Sequence, residues 1–317
     1  EKTRPVEQRI YHRGDASSPG DVAPRRFLKV LDDQQSPFPE NTSGRLQLAE
    51  RIANSDNPLT ARVYVNRIWG YVMGSHLVKT PSNFGLQGAA PSHPELLDWL
   101  ARDFVENGWS TKRLVRQIVT SQTYQQSSDH QADMYAKDPD NRFLWRANRK
   151  RLSIEAIRDS FLSVAQQLDS RQHGRSSKLW GKEYSRRRTI YGYINRFNLD
   201  PTLRAFDFPT PMQTHPQRDE SIVAPQALFT LNSPFVVDQA KAIVSSVPFT
   251  ACESDEAKID CVYAAVYQRK VTGDELSGIE IFFANQLGAK NAESQQLASW
   301  QLFTQALLMS NEFQYVD

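Results

Sequence analysis

The chain has 317 residues, 39 % hydrophobic and 23 % charged, with 38 Lys/Arg against 36 Asp/Glu and a formal net charge of +2. That balance belongs to a folded globular protein and excludes a disordered tail or a continuous coiled coil. Two cysteines exclude a disulfide-dense scaffold, a four-cysteine zinc site and an iron–sulfur cluster, and no apolar run approaches the ~18 residues that span a membrane.

Residues 1–44 read as an extended arm, because Pro5, Pro19, Pro24, Pro37 and Pro39 interrupt any helix and Gly14, Gly20 and Gly44 mark turns. The charged opening Glu1-Lys2-Thr3-Arg4-Pro5 lacks the apolar core of a signal peptide and reads as the interior of a longer chain. From Arg45 the period turns helical. Leu46, Leu48, Ala49 and Ile52 precede the stop at Asn57-Pro58, and a second stripe of Leu59, Val63, Ile68 and Val72 ends at Gly74. Ser92 and Glu95 are spaced as a capping box for a helix carrying Leu96, Leu97, Leu100 and Phe104. Ser110 caps a helix with Leu114, Val115, Ile118 and Val119, and Ser153 caps one with Ile157, Phe161, Val164 and Leu168.

Between Arg171 and Pro216 the pattern weakens. Thr189 to Ile194 has the composition of a short strand, and Phe206 to Pro211 is a rigid loop. Asn232-Ser233-Pro234 opens a helix with Val236, Val237, Ala240, Ile243 and Val244. Ser254 caps a helix expected to reach Arg269-Lys270, and Thr272 with Glu275 makes another capping box. A final helix carries Leu297, Trp300, Phe303, Leu307 and Leu308. Ser121-x-x-Tyr124 and Ser310-x-x-Phe313 echo each other behind two of these helices. The elements predict a mainly α fold: a multi-helix globular domain with an extended N-terminal arm, a proline-rich central loop and at most a few short strands. The expected organisation is an arm over 1–44 and a helical domain over 45–317. The pattern allows two lobes, 45–170 and 220–317, joined by a basic, irregular segment over 171–219.

Charge is unevenly placed. Arg142 to Arg204 holds 15 Lys/Arg against 5 Asp/Glu, while Ala205 to Asp317 holds 6 against 14. The two runs can pair internally or leave a basic face for an anionic partner. Twelve of the 15 are arginine, suited to bidentate contact with carboxylate, sulfate or phosphate. Arg186, Arg187 and Arg188 form one run, with Trp180, Tyr191 and Tyr193 nearby as stacking surfaces. No His spacing forms a zinc motif, and there is no glycine-rich phosphate loop, nucleophile elbow or C-x-x-C-H, so neither a metal site nor a haem is expected within this chain. Cys252 and Cys261 lie nine apart, and the rise of a helix between them leaves a bridge open. The acid–base candidates are Asp207 and His215, with Arg218 to hold an anion and Gln226 and Asn232 around them. The plainer reading of that set is a polar surface loop with internal salt bridges. Asn66, Arg67 and Trp69 share one helix and are further binding candidates.

Several strings are familiar together: Asn57-Pro58-Leu59-Thr60-Ala61-Arg62, Asn66-Arg67-Ile68-Trp69, Asn83-Phe84-Gly85 and Ser92-His93-Pro94-Glu95-Leu96-Leu97-Asp98-Trp99-Leu100. They continue with Arg151-Leu152-x-x-Glu155-x-Ile157-Arg158-Asp159, Phe206-Asp207-x-Pro209, Ala224-Pro225-Gln226-Ala227-Leu228, Leu231-Asn232 and the tail Asn311-Glu312-Phe313-x-Tyr315-Val316-Asp317. The chain resembles the planctomycete-specific C-terminal domain of unknown function, DUF1553, of large exported cytochrome c-type proteins. The family's Arg–Thr pair is present as Arg218 and Ser221, which keeps the hydroxyl. The resemblance implies export to the periplasm or cell surface and an upstream module carrying haem c. It brings no known reaction, and it associates the chain with the handling of complex polysaccharides.

Two function classes are carried forward. The first is an accessory domain that binds an anionic glycan, or docks on the upstream modules of its own polypeptide, with no nucleic acid as partner. Here Arg186, Arg187, Arg188 and Arg218 make the charge contacts. The second is an enzyme, an oxidoreductase or glycan-cleaving, with Asp207, His215 and Arg218 in one pocket. If those residues are instead buried and bonded to each other, they are scaffold.

Overall fold

The computed structural model describes residues 7–286 and 292–316; the expectations resting on residues 1–6 and on Asp317 lie outside the described residues. The chain divides into two compact units, Glu1–Asn148 and Arg149–Asp317. The mainly α expectation holds, with strands confined to two short pairs among the described residues.

In the first unit, the arm is not uniformly extended. β1 (Gln8–Tyr11) and β2 (Pro19–Ala23) pair antiparallel, Gln8 opposite Ala23 and Tyr11 opposite Pro19. The connection is folded tight by Asp15, which accepts from the Ser17 N–H and hydroxyl. Then come α1 (Arg45–Ile52), α2 (Pro58–Met73), α3 (Pro94–Glu106), α4 (Thr111–Val119) and the short α5 (Ala132–Lys137). Asn57 joins the first two helices. Its Oδ1 accepts from Leu59 N at the start of α2, while its Nδ2 donates to the last carbonyls of α1, Arg51 and Ile52. The core gathers α2, α3 and α4 around Val65, Trp69, Leu97, Leu100, Phe104, Leu114 and Ile118.

Two local expectations change. The buried stripe of α2 is Ala61, Val65, Trp69 and Met73, and the predicted anchor Leu59 is exposed. The bulkier Trp69 and Met73 turn the helix to fill the core. The Ser92–Glu95 capping box does not form. Ser92 Oγ bonds its neighbour His93 Nδ1 at 2.9 Å, and the helix starts from Pro94, whose missing N–H needs no cap. The Ser110 cap does form, accepting from Arg113 N at 3.3 Å.

The second unit opens with β3 (Lys150–Arg151) and α6 (Ile154–Val164). Ile154, Ile157, Phe161 and Leu162 of α6 lie in the second core, so the division falls at Asn148 rather than after residue 170. There follow α7 (Pro201–Ala205), α8 (Ala224–Asn232), α9 (Pro234–Val244), α10 (Val247–Thr250), α11 (Asp255–Val266), α12 (Gly273–Gln286), α13 (Ala292–Met309) and α14 (Asn311–Gln314). β4 (Tyr315–Val316) closes the unit by pairing antiparallel with β3, Lys150 opposite Val316. The core is apolar and aromatic, with Phe161 stacked on Phe313 at 5.2 Å and Val236, Ala240, Trp300 and Phe303 beside them. Segment 171–219 is irregular as expected, yet it is no free linker, since Leu179, Leu199, Leu203 and Phe206 are buried in this core.

Thr189–Tyr191 is a turn of 3-10 helix, not a strand. α11 stops at Val266 because Gln268 takes a left-handed φ of +58°, which turns Arg269 onto Glu275 and Glu312. The Thr272–Glu275 box is reciprocal: Thr272 N donates to Glu275 Oε2 at 2.8 Å and Glu275 N to Thr272 Oγ1 at 3.4 Å. The two echoed serines act alike, each Oγ accepting at 3.2 Å from the N–H three residues on, at Tyr124 and at Phe313.

Candidate functional site

An irregular segment needs partners for its backbone carbonyls, and in the second unit two arginines, Arg158 and Arg187, supply several of them. Arg158 projects from α6 with a side chain that has no exposure. It donates to the carbonyls of Leu179 at 3.2 Å and Arg187 at 3.0 Å, to that of Ser185, and to Thr189 Oγ1 at 3.1 Å. The rings of Trp180 and Phe235 lie 5.5 and 5.3 Å from its guanidinium. Burial pushes Arg158 down to about 10, so it remains a cation at neutral pH. The adjacent Asp159 accepts from the Thr189 N–H and hydroxyl, both at 2.7 Å. Trp180 is therefore an internal surface for Arg158, Phe229 and Phe235, not a stacking platform for a ligand.

Fixed from beneath, the segment ties itself into a layer. Asp169 N donates to Arg186 O, Ser177 N to Tyr191 O, Tyr193 N to Ser177 O and Ser185 N to Lys178 O, all between 2.8 and 3.0 Å. Arg187 is the layer's staple. It donates to the carbonyls of Arg175, Arg171 and His173 and lies 4.2 Å from the Tyr191 ring centroid. Arg187 and Tyr191 thus serve the layer from inside. Arg188 is exposed and faces Asp159 at 3.6 Å. The backbone ties set Lys178 against Ser185, next to Arg186, and Arg175, Lys182 and Arg196 belong to the same segment. All five cations are exposed, and none makes an ion pair among the described residues. Tyr193 and Phe197 of the same segment are 64 % and 80 % exposed, and Arg196 lies 5.3 Å from the Phe197 ring centroid. An open hollow of about 330 Å³ carries Arg186 and Lys241 on its rim, with Asp238 and Tyr184.

The proposed acid–base set is arranged differently. Asp207, in a left-handed φ of +58°, accepts from Ser221 N at 2.8 Å and from Ser221 Oγ at 2.8 and 2.9 Å. Both carboxylate oxygens are thereby used. The buried Gln226 donates to Ala205 O and Ser221 O and accepts from Arg151 at 2.5 Å. Arg151 reaches on to Ser221 O and to Gln314 Oε1. This knot closes the loop between Asp207 and Ser221. Arg218 pins its far side, bidentate on Glu155 at 2.7 and 2.5 Å and 5.2 Å from the Phe208 ring centroid. Burial works to raise the Glu155 carboxyl, but the Arg218 guanidinium and the N-terminus of α6 outweigh it and hold it below the usual range. His215 is half-buried, its Nε2 is sealed from solvent, and no described contact joins it to Asp207. Asn232 is exposed at the end of α8. Ser221 shows why the hydroxyl matters at its position: it is a ligand of Asp207.

In the first unit, the three candidates on α2 part company. Asn66 is wholly buried, accepting from Val78 N at 2.8 Å and donating to Val78 O at 3.2 Å. Trp69 belongs to the core, and Arg67 is exposed. Cys252 and Cys261 are free thiols that neighbour each other, and burial pushes Cys261 up. Among the described residues no group of three or more His, Cys, Asp or Glu is placed to hold a metal ion, and no helix is long and apolar enough to cross a membrane.

Sequence reasoning missed Arg158 as a hub. Its one signal was an arginine among Ile154, Ile157, Phe161 and Leu162, a position where a charge must find partners. The strings that carry the resemblance prove to be structural ties: Asn57, Asn66, Arg151, Glu155, Arg158, Asp159, Asp207 and Gln226 each hold backbone or one another, and Arg62 meets Asp98 at 2.6 Å. No curated protein and no solved structure matches the chain. Residues 44–283 match the family described as PSD1, protein of unknown function (DUF1553), and over that span, well beyond half of its length, the chain belongs to this family.

Proposed function

We propose that the chain is an accessory binding domain that takes an anionic polysaccharide, sulfated or uronic, on the layer over residues 171–200. The observation that carries this reading is the set of Arg175, Lys178, Lys182, Arg186 and Arg196, exposed and without carboxylate partners among the described residues, on the same segment as the exposed rings of Tyr193 and Phe197. Guanidinium and ammonium groups match sulfate and carboxylate, and aromatic faces suit the C–H faces of sugar rings. A glycan is favoured over nucleic acid because the sequence pI is about 8.5 and the basic surplus is local, whereas a nucleic-acid-binding domain usually stands above ~9. In this reading the domain is itself exported, to the periplasm or cell surface, where it meets the anionic polysaccharide and works alongside upstream modules, one with haem c. The enzymatic alternative built on Asp207, His215 and Arg218 lacks comparable support, because the oxygens of Asp207 and the fork of Arg218 are already engaged.

The test is calorimetric titration with sulfated and uronic oligosaccharides at low and high salt, with a neutral glycan and a single-stranded oligonucleotide as controls. Saturable, salt-weakened glycan binding that falls at least tenfold in an Arg175→Ala/Lys178→Ala/Arg186→Ala variant supports the reading. Arg187 stays untouched, since its loss would unfasten the layer. Binding that survives the triple change, or tighter binding of the oligonucleotide, overturns it. Silence across the panel moves the weight to docking on the upstream modules.

A further inference from the structure

The first unit holds a cavity of about 360 Å³, within the size range of small-molecule sites. It opens between two loops, 74–93 and 138–148. Leu77 and Val78 anchor the first in the core and Leu144 packs the second against it; buried or half-buried carboxamides tie the rest. Asn66 grips Val78 on both its N–H and its carbonyl. Asn141, buried and in a left-handed φ of +49°, donates to Arg146 O and Asn148 Oδ1. Asn148 then crosses to Met73 O and Ser75 Oγ, tying one loop to the other. Asp138 adds the N–H groups of Arg142 and Phe143, which aims Arg142. Gly70 on α2 completes the wall: a Cβ there would come within 2.4 Å of the His76 ring, so only glycine lets the imidazole lie against the helix. Both walls are thus held in place without a ligand.

The lining that these ties present is specific in charge. Lys79 and Arg142 bring two cations against the one carboxylate of Asp140, and His76, Ser92 and Trp69 supply polar groups and an apolar floor. Lys79 and Asp140 meet at 3.5 Å with side chains 64 % and 77 % exposed, a pair loose enough to open. Arg142 is exposed, 5.9 Å from the Phe143 ring centroid, and makes no ion pair among the described residues. The surplus is a single positive charge beside hydroxyl and imidazole groups. We infer that this cavity binds a hydroxylated monocarboxylate of monosaccharide size, a sugar acid, with Arg142 and Lys79 on the carboxylate and Asp140, Ser92 and His76 toward ring hydroxyls. The inference does not rest on the basic layer, which lies in the other unit.

The test titrates the whole chain with glucuronate, glucose and acetate, read by calorimetry and by saturation-transfer NMR. Glucuronate is expected to saturate. Glucose and acetate are each expected at least tenfold weaker, since each lacks one half of the recognition. Arg142→Gln, on an exposed side chain, is expected to weaken glucuronate at least tenfold with an unchanged far-UV circular dichroism spectrum. Lys112→Ala, an exposed lysine of α4 that lines neither the cavity nor the basic layer, is expected to leave glucuronate binding as it was. No saturation by glucuronate at millimolar concentration overturns the inference. Equal binding of acetate reduces the site to a bare anion hole and overturns the sugar-acid assignment. An Arg142→Gln variant that binds as well as the parent does so too.

Discussion

The two units face one problem and solve it with different chemistry. Each must fix a long irregular segment on helices, and such a segment brings carbonyls and N–H groups that water no longer serves. The first unit relies mainly on neutral carboxamides, Asn66, Asn141 and Asn148, with the carboxylate of Asp138 beside them. The second relies mainly on ions, with Arg158 and Arg151 donating to carbonyls and amides, Asp159 and Asp207 accepting from Thr189 and Ser221, and the carboxamide of Gln226 beside them. Burying a charge is far more expensive than burying an amide, and its removal leaves more behind. A buried arginine offers five donors in a planar fork, where an asparagine offers two donors and one acceptor oxygen. Arg158 meets three carbonyls and a hydroxyl at once, a task that no single carboxamide can perform. Ionic ties therefore appear where the segment is longest, and the second unit should be the more fragile to mutation.

The sharpest break is Arg158→Met, which keeps the stem among Trp180 and Phe235 but strands the carbonyls of Leu179, Ser185 and Arg187. It is expected to destabilise by about 3–5 kcal/mol in urea unfolding. Arg158→Lys should recover only part of this, since an ammonium restores the charge without the fork. Equal stability of the Lys variant and the parent would show that charge, and not geometry, is what the segment needs. In the first unit, Asn66→Ala leaves Val78 N and O unpaired and is expected to cost about 2–3 kcal/mol. A larger loss than that of Arg158→Met would reverse the comparison.

Asp207→Asn comes next. The amide keeps one acceptor oxygen for Ser221 and loses the second, so about 1–2 kcal/mol is expected, with Ser221→Thr near neutral because the hydroxyl survives. A Ser221→Ala loss indistinguishable from that of Ser221→Thr would remove the hydroxyl's role in the knot.

Much of the fold was legible because helices announce themselves twice, in their period and in their caps. Ser110, Ser153, Ser254 and the Thr272–Glu275 box were readable because capping is local and needs only a few residues. Ser92 misled because Pro94 removes the need for a cap and His93 offered its hydroxyl a nearer partner. The site was far less legible. Arg186, Arg187 and Arg188 are consecutive and alike in sequence. One is free in the hollow, one is turned into the layer, and one faces Asp159. What separates them is contact with residues 12 to 29 positions distant, and no local pattern encodes that. Asp207 and His215 were grouped by closeness in chain, yet Asp207 is taken by Ser221 and no described contact joins it to His215.

The mildest probe of the ionic style is acid, applied at Glu275. Arg269 holds this carboxyl by two hydrogen bonds, Thr272 adds its N–H and hydroxyl, and together they pull it from 4.5 to about 2. The folded value lies below the unfolded one, so the contribution is complete above pH 4.5 and is lost as pH falls from there toward 2. Because Arg269 and Glu275 are about a third exposed, solvent screening limits the pair to roughly 1 kcal/mol or less. Glu275→Gln should accordingly leave stability near pH 2 almost unchanged and lower it slightly at pH 7, with an intermediate loss at pH 3, flattening the acid limb of a stability–pH curve. The carboxamides of the first unit have no proton to gain in this range, so Asn66→Ala should shift the whole curve down without changing its slope. An Asn66→Ala curve that steepens in acid, or a Glu275→Gln limb as steep as the parent's, would mean that the division into neutral and ionic ties does not govern how this protein responds to pH.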